Sequence, residues 1–170
     1  MFLPFSFDFE INIKQFQFFS IYDKIDYIIM WRFFIYMGKT RRQIAREKAI
    51  ISIYQNLLVE SSLDEIKAFL AEDKTLSESE ESMQFCTWLV ETTLNNKDSY
   101  ITLLSKYLKK GWTFERLSVM ERAILLIATC ELLESDLPKT IVINEAIINA
   151  KAFCDEESYK YINGVLSQVD

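Results

Sequence analysis

The chain has no histidine. That removes His–Cys zinc sites, Ser–His and Cys–His nucleophile pairs, and the commonest general base. It has only 3 glycines and 2 prolines in 170 residues. All-β folds and dinucleotide-binding α/β folds need these residues at many turns, so the class expected is all-α. The 3 cysteines, Cys86, Cys130 and Cys154, are odd in number, far apart and set in apolar patterns. They read as reduced thiols of a cytoplasmic protein, packed as small hydrophobes. No Gly-rich phosphate loop is present. Positive charge is also short, with a formal net charge of −6. A nucleic-acid function must therefore rest on a local basic patch.

Half of the residues are hydrophobic, ample for a core. They are unevenly spread. Residues 1–36 hold 9 of the 13 Phe and 13 of the 24 aromatics. Phe5, Phe7 and Phe9 alternate with polar residues, and Tyr27 to Tyr36 is an apolar run broken by Arg32. Ten residues are too few to span a bilayer, which needs about 20, and no signal-peptide layout precedes them. An interfacial anchor is one reading. The other takes the Phe-, Ile-, Tyr-, Lys- and Asn-rich composition as translated AT-rich non-coding DNA, with Met37 as the natural start. Residues 1–36 are then an atypical extension, and 37–170 the folded domain.

From residue 40 the helix signals are regular. Thr40-Arg41-Arg42-Gln43, Ser62-Leu63-Asp64-Glu65 and Ser118-Val119-Met120-Glu121 are capping boxes. Ile50, Ile53, Tyr54, Leu57 and Leu58 form one apolar face of a first helix reaching about Val59. Ile66, Phe69 and Leu70 are expected inward on a short second helix. Residues 73–82 read as an acidic loop and the first turn of a third helix, which buries Cys86, Leu89, Val90, Thr93 and Leu94. A fourth, with Ile101, Leu104 and Leu108 on one face, is expected to end at Lys109-Lys110-Gly111. The stretch Ala123 to Leu133 is apolar on nearly every side, the mark of a central helix. Two more follow, the last capped by Asp155. Seven helices in two packed subdomains, about 40–96 and 97–170, are expected to share an interface.

Asn144, Asn163 and Gly164 sit inside the apolar patterns of the last two helices. A mid-helix Gly costs about 1 kcal/mol relative to Ala, and a buried Asn without partners about 1–3. Together they suggest a structural clasp between two closely packed helices. Lys39, Arg41, Arg42, Arg46 and Lys48 crowd a helix N-terminus, where cations oppose the macrodipole. That placement suits a bound anion, phosphate or nucleic acid, as well as a plain solvated helix start. Tyr161 lies off the Ile162/Val165/Val169 stripe beside Lys160, either an edge of the core or a ring free to stack on an unpaired base. The acids form no cleft-like pair, so neither catalysis nor a metal nor a cofactor is expected.

The chain resembles the NusB family of bacterial transcription antitermination factors. Carrying the resemblance are Arg41-Arg42-Gln43-Ile44-Ala45-Arg46-Glu47, Trp112, Arg116-Leu117, Glu121-Arg122-Ala123-Ile124-Leu125 and Glu131-Leu132. Pro138, Ile143-Asn144-Glu145-Ala146, Ala150-Lys151 and Ser158-Tyr159-Lys160-Tyr161-Ile162-Asn163-Gly164-Val165-Leu166 complete it. It covers residues 40–169 and is densest from 112 to 166. It implies a two-part helical protein binding boxA-type RNA of ribosomal RNA transcripts. The implied partners are a small-subunit ribosomal protein acting as NusE and the antitermination complex on RNA polymerase. By position the implied RNA contacts are Arg41, Arg42, Arg46, Glu157, Ser158, Lys160 and Tyr161. Gln43 and Ile44 stand among the expected basic residues, and Tyr159 where some members have His. The alternatives are a truncated ribosomal RNA cytosine methyltransferase with a NusB-like domain, and a helical protein-interaction module.

Overall fold

The computed structural model describes residues 38–169. The readings made for residues 1–36, and Met37 as a start, lie outside the described residues. Thr40–Asp170 forms a unit of its own. Eight α-helices and one 3₁₀ turn follow one another among the described residues, with no strand.

Helix α1 (Arg41–Val59) begins at the expected capping box: the Gln43 N–H donates to Thr40 Oγ1 at 3.2 Å and the Thr40 N–H to Gln43 Oε1 at 2.9 Å. It ends where Glu60 turns left-handed, at φ 57°. Helix α2 (Leu63–Ala71) starts at the second box. Its buried line runs through Ile66 and Leu70, and Phe69, expected inward, falls on its outer side at 43 % exposure. Leu58 of the expected α1 face is likewise exposed.

The acidic loop holds one more helix than the sequence suggests, α3 (Lys74–Ser77). Asp73 Oδ1 accepts from the N–H groups of Thr75 and Leu76 at 3.0 Å each, and Leu76 is fully buried. One cap and one anchored side chain are enough for a single turn. Helix α4 (Glu80–Asn95) then runs along α1, with Cys86, Leu89, Val90 and Thr93 buried. Helix α5 (Lys97–Ser105) stops short of the expected Lys109-Lys110-Gly111. The Lys106 N–H donates to Leu103 O and the Tyr107 N–H to Leu104 O, so the last turn tightens and the chain leaves the helix. Gly111 adopts φ +85°, which L side chains avoid.

After the 3₁₀ turn Phe114–Arg116, the third capping box opens α6 (Val119–Glu134). Every residue from Ala123 to Glu131 is buried. The helix packs against α1, α4, α5 and the two that follow it, α7 (Lys139–Phe153) and α8 (Ser158–Leu166). Its all-round apolarity is thus accounted for by neighbours on all sides. Asp155 does not cap α8 through its side chain; its carbonyl accepts from the Ser158 N–H at 2.9 Å. Glu156 and Glu157 consequently precede the helix instead of occupying its first turn.

Candidate nucleic-acid interface

The start of α8 is pinned to the start of α6. Ser158 Oγ donates to Glu121 Oε1 at 2.7 Å, while the other Glu121 oxygen accepts from the Ser118 N–H at 2.8 Å. One carboxylate thus closes the α6 cap and holds the α8 entry. Beside this joint opens a groove of about 610 Å³, lined by Tyr107, Lys109, Trp112, Glu157, Lys160 and Tyr161 among others. Trp112 stands 47 % exposed at its mouth, its ring centroid 6.1 Å from that of Tyr161 with 37° between the planes. The Arg116 guanidinium carbon lies 5.6 Å from the Trp112 ring centroid, within cation–π range, and Arg116 Nη1 donates to Gly111 O at 3.2 Å. The left-handed Gly111 therefore presents the carbonyl that orients Arg116.

Lys160 donates to both oxygens of Glu157, at 2.9 and 2.8 Å, on the exposed rim. Such an exposed pair contributes roughly 0–1 kcal/mol and yields easily to a competing anion. Lys151 and Lys160 place their ammonium groups 4.7 and 5.9 Å from the Tyr159 ring centroid. The Tyr161 hydroxyl is buried without a hydrogen-bond partner. Burial, with the nearby Glu121 carboxylate adding to it, pushes its pKa up to about 12. Its ring is half-buried and available along one side of the groove. Among the described residues no cluster of three or more Cys, Asp or Glu side chains could hold a metal ion.

The arginines of α1 divide. Arg41 and Arg42 are exposed. Arg42 pairs with Glu81 at 3.3 Å and lies over the Phe85 ring at 4.6 Å. Arg46, expected at the RNA surface, is instead 5 % exposed. Its Nε and Nη2 fork onto Glu131 of α6 at 2.7–3.1 Å, and its Nη1 lies 3.6 Å from Glu145 of α7. Gln43 adds a bond to Glu145 at 3.1 Å. Four residues along α1 from exposed Arg42, Arg46 faces α6 and α7 instead of solvent. Arg46 is a tie between three helices.

The groove and the exposed arginines are separate features. The first is tied to Glu121, whereas Arg42 pairs with Glu81 and neither Arg41 nor Arg42 lines the groove. Glu157, Ser158, Lys160 and Tyr161 do converge on the groove. Ser158 is buried and bonded to Glu121, so it holds the site's frame.

The expected clasp of Asn144, Asn163 and Gly164 is overturned: all three are exposed. A Cβ added to Gly164 meets nothing within 4 Å, so no close approach requires glycine there. Helices α7 and α8 pack together, and the residues they bury include Val142, Ala146, Ile162 and Val165. The buried amide is Asn149, whose Nδ2 donates to Glu145 O at 2.9 Å. Lys109, Trp112 and Arg116 were not picked out as site residues. A tryptophan within Lys109-Lys110-Gly111-Trp112-Thr113, outside any apolar period, was the available signal.

A sequence model described as the NusB family matches residues 43–170. A Bacillus mycoides (strain KBAB4) protein named transcription antitermination protein NusB is 39 % identical over 130 residues, 76 % of this chain and 96 % of that protein. Among solved structures, T. maritima NusB is 30 % identical, with a TM-score of 0.67 over 77 % of this chain and 91 % of the other. A 24 % identical chain, solved as antitermination factors NusB and NusE in complex with double-stranded RNA, shares the fold, with a TM-score of 0.65 over 76 % and 95 %.

Proposed function

The chain belongs to the NusB family of transcription antitermination proteins, and from that premise we propose that it binds boxA-type RNA in ribosomal RNA transcripts together with a small-subunit ribosomal protein, within an antitermination complex on RNA polymerase. The reading places its work in the cytoplasm, and no helix among the described residues is long and apolar enough to cross a membrane. The observation that carries it is the groove at the start of α8. Two rings, Trp112 and Tyr161, stand beside Lys109 and Lys160 in a volume that admits a base. Stacking on rings with cations at the rim is how proteins hold unpaired nucleotides. Arg41 and Arg42, exposed at the start of α1, supply positive charge for phosphates. The role of the chain is to bind and assemble; catalysis forms no part of it. The methyltransferase alternative is disfavoured by the match to 96 % of a relative named for antitermination.

Binding of boxA-like and scrambled RNA, with and without the ribosomal protein, across a salt series tests this. Expected are a preference for the boxA-like sequence, tighter binding with the partner, and affinity falling as salt rises. Arg41→Ala with Arg42→Ala should weaken binding and flatten the salt dependence, leaving the fold intact. Equal affinity for both RNAs at every salt concentration would overturn the reading.

A further inference from the structure

Trp112 is not among the residues that the family resemblance implies for RNA, yet it lines the groove where Glu157, Ser158, Lys160 and Tyr161 meet. It is a large indole at 47 % exposure, yet it is held in place. Tyr161 lies 6.1 Å from it, Arg116 lies over its ring, and Arg116 is itself bonded to the Gly111 carbonyl. Fixing an apolar ring in water has no use in folding, since burying it would contribute more.

The charges lining the groove nearly cancel, Lys109 and Lys160 standing against Glu121, Asp155 and Glu157. Glu121 is occupied by Ser118 and Ser158, and Glu157 by Lys160. Such a groove attracts phosphate weakly. Its two rings offer what any unpaired base needs, a π-face. Resting on the RNA-binding reading above, we propose that Trp112 and Tyr161 form a two-ring platform that stacks two adjacent unpaired bases, with Arg116 as the positioning residue of the indole. The exposed arginines of α1 supply phosphate attraction, and the platform supplies base contact. The two contributions differ in their response to salt.

The test uses the full chain and the boxA-like single-stranded RNA. Trp112→Ala should reduce affinity by about 5–150-fold, the loss of one stacked base. The slope of log affinity against log salt should stay unchanged, because every phosphate stays neutralised as before. Trp112→Phe, which keeps a ring, should recover most of the affinity. Arg41→Ala with Arg42→Ala should do the reverse and shallow the slope by about 0.7 for each phosphate left without its arginine. Indole fluorescence should be quenched by RNA in the parent chain and unquenched in Trp112→Phe. If the parent chain binds and Trp112→Ala binds as tightly, or loses affinity only through a changed slope, the platform is refuted and the RNA function stands. If the parent chain binds no RNA, the functional reading itself falls and the platform with it.

Discussion

Replacing Arg46 should unfold the protein at a lower temperature without touching an RNA contact. Its guanidinium forks onto Glu131, whose side chain is 1 % exposed, and also faces Glu145. Truncation to Ala leaves the Glu131 charge buried with no counterpart. Removing one partner of a buried pair costs about 3–5 kcal/mol. Thr40–Asp170 is about 130 residues, and at about 2.1 cal/mol/K per residue the unfolding entropy is about 0.28 kcal/mol/K. The expected fall in Tm is therefore about 11–18 °C. Replacing both partners by apolar residues, Arg46→Met with Glu131→Met, removes the desolvation cost along with the attraction. Such swaps are often neutral or stabilising, so the double variant should recover much of the loss. Calorimetry on the two single variants and the double closes the cycle. RNA affinity, measured where Arg46→Ala is still folded, should change by less than about threefold, in contrast to the Arg41/Arg42 variant. A Tm unchanged by Arg46→Ala together with a large loss of RNA affinity would refute the reasoning and return Arg46 to the surface.

The other expectations are smaller. Gly164→Ala should stabilise by about 0.5–1 kcal/mol, the helix-propensity gain at a position with open space around it; a fall in Tm would restore the clasp. Tyr161→Phe deletes a buried hydroxyl that has no partner and should be neutral or stabilising by thermal melt, with RNA affinity kept because the ring remains. Burial raises the Asp73 carboxyl, but the Lys48 ammonium and the Leu76 and Thr75 N–H groups outweigh it, so its pKa lies below the ordinary 3.8. A depressed carboxyl contributes stability that is whole above about pH 4 and fades as pH falls through the lowered value. Asp73→Asn should therefore lower Tm at neutral pH and flatten the acid limb, measured by melts from neutral pH downwards. Burial pushes the Cys86 thiol up to about 12 and the Cys130 and Cys154 thiols up to about 11. Of the three, only half-buried Cys154 should react with a thiol reagent in the native protein at mildly alkaline pH.

Much was legible from sequence because it is local. The capping boxes at Thr40, Ser62 and Ser118 are four-residue patterns, and each opens a helix where expected. The apolar run Ala123 to Leu133 had to be central, since no single face could bury it, and all but its last two residues are buried. The family resemblance correctly pointed to the all-helical fold. The misreadings concern where a side chain sits once helices meet. Arg46 looked like one more surface cation because Glu131 and Glu145, which enclose it, lie 85 and 99 positions away in sequence. Asn144, Asn163 and Gly164 looked buried because they interrupt apolar patterns, yet they fall on outward arcs of α7 and α8. Trp112 went unassigned because its role depends on Tyr161, 49 residues further on.

By itself the sequence determined the class, most helix starts, the central helix and the family, since these follow from composition, periodicity and short motifs within one turn or one face. The tertiary structure alone decided which charges are buried and which rings meet. Burial and ring contact depend on how separate helices rotate and cross, and a one-dimensional period carries no information about that rotation.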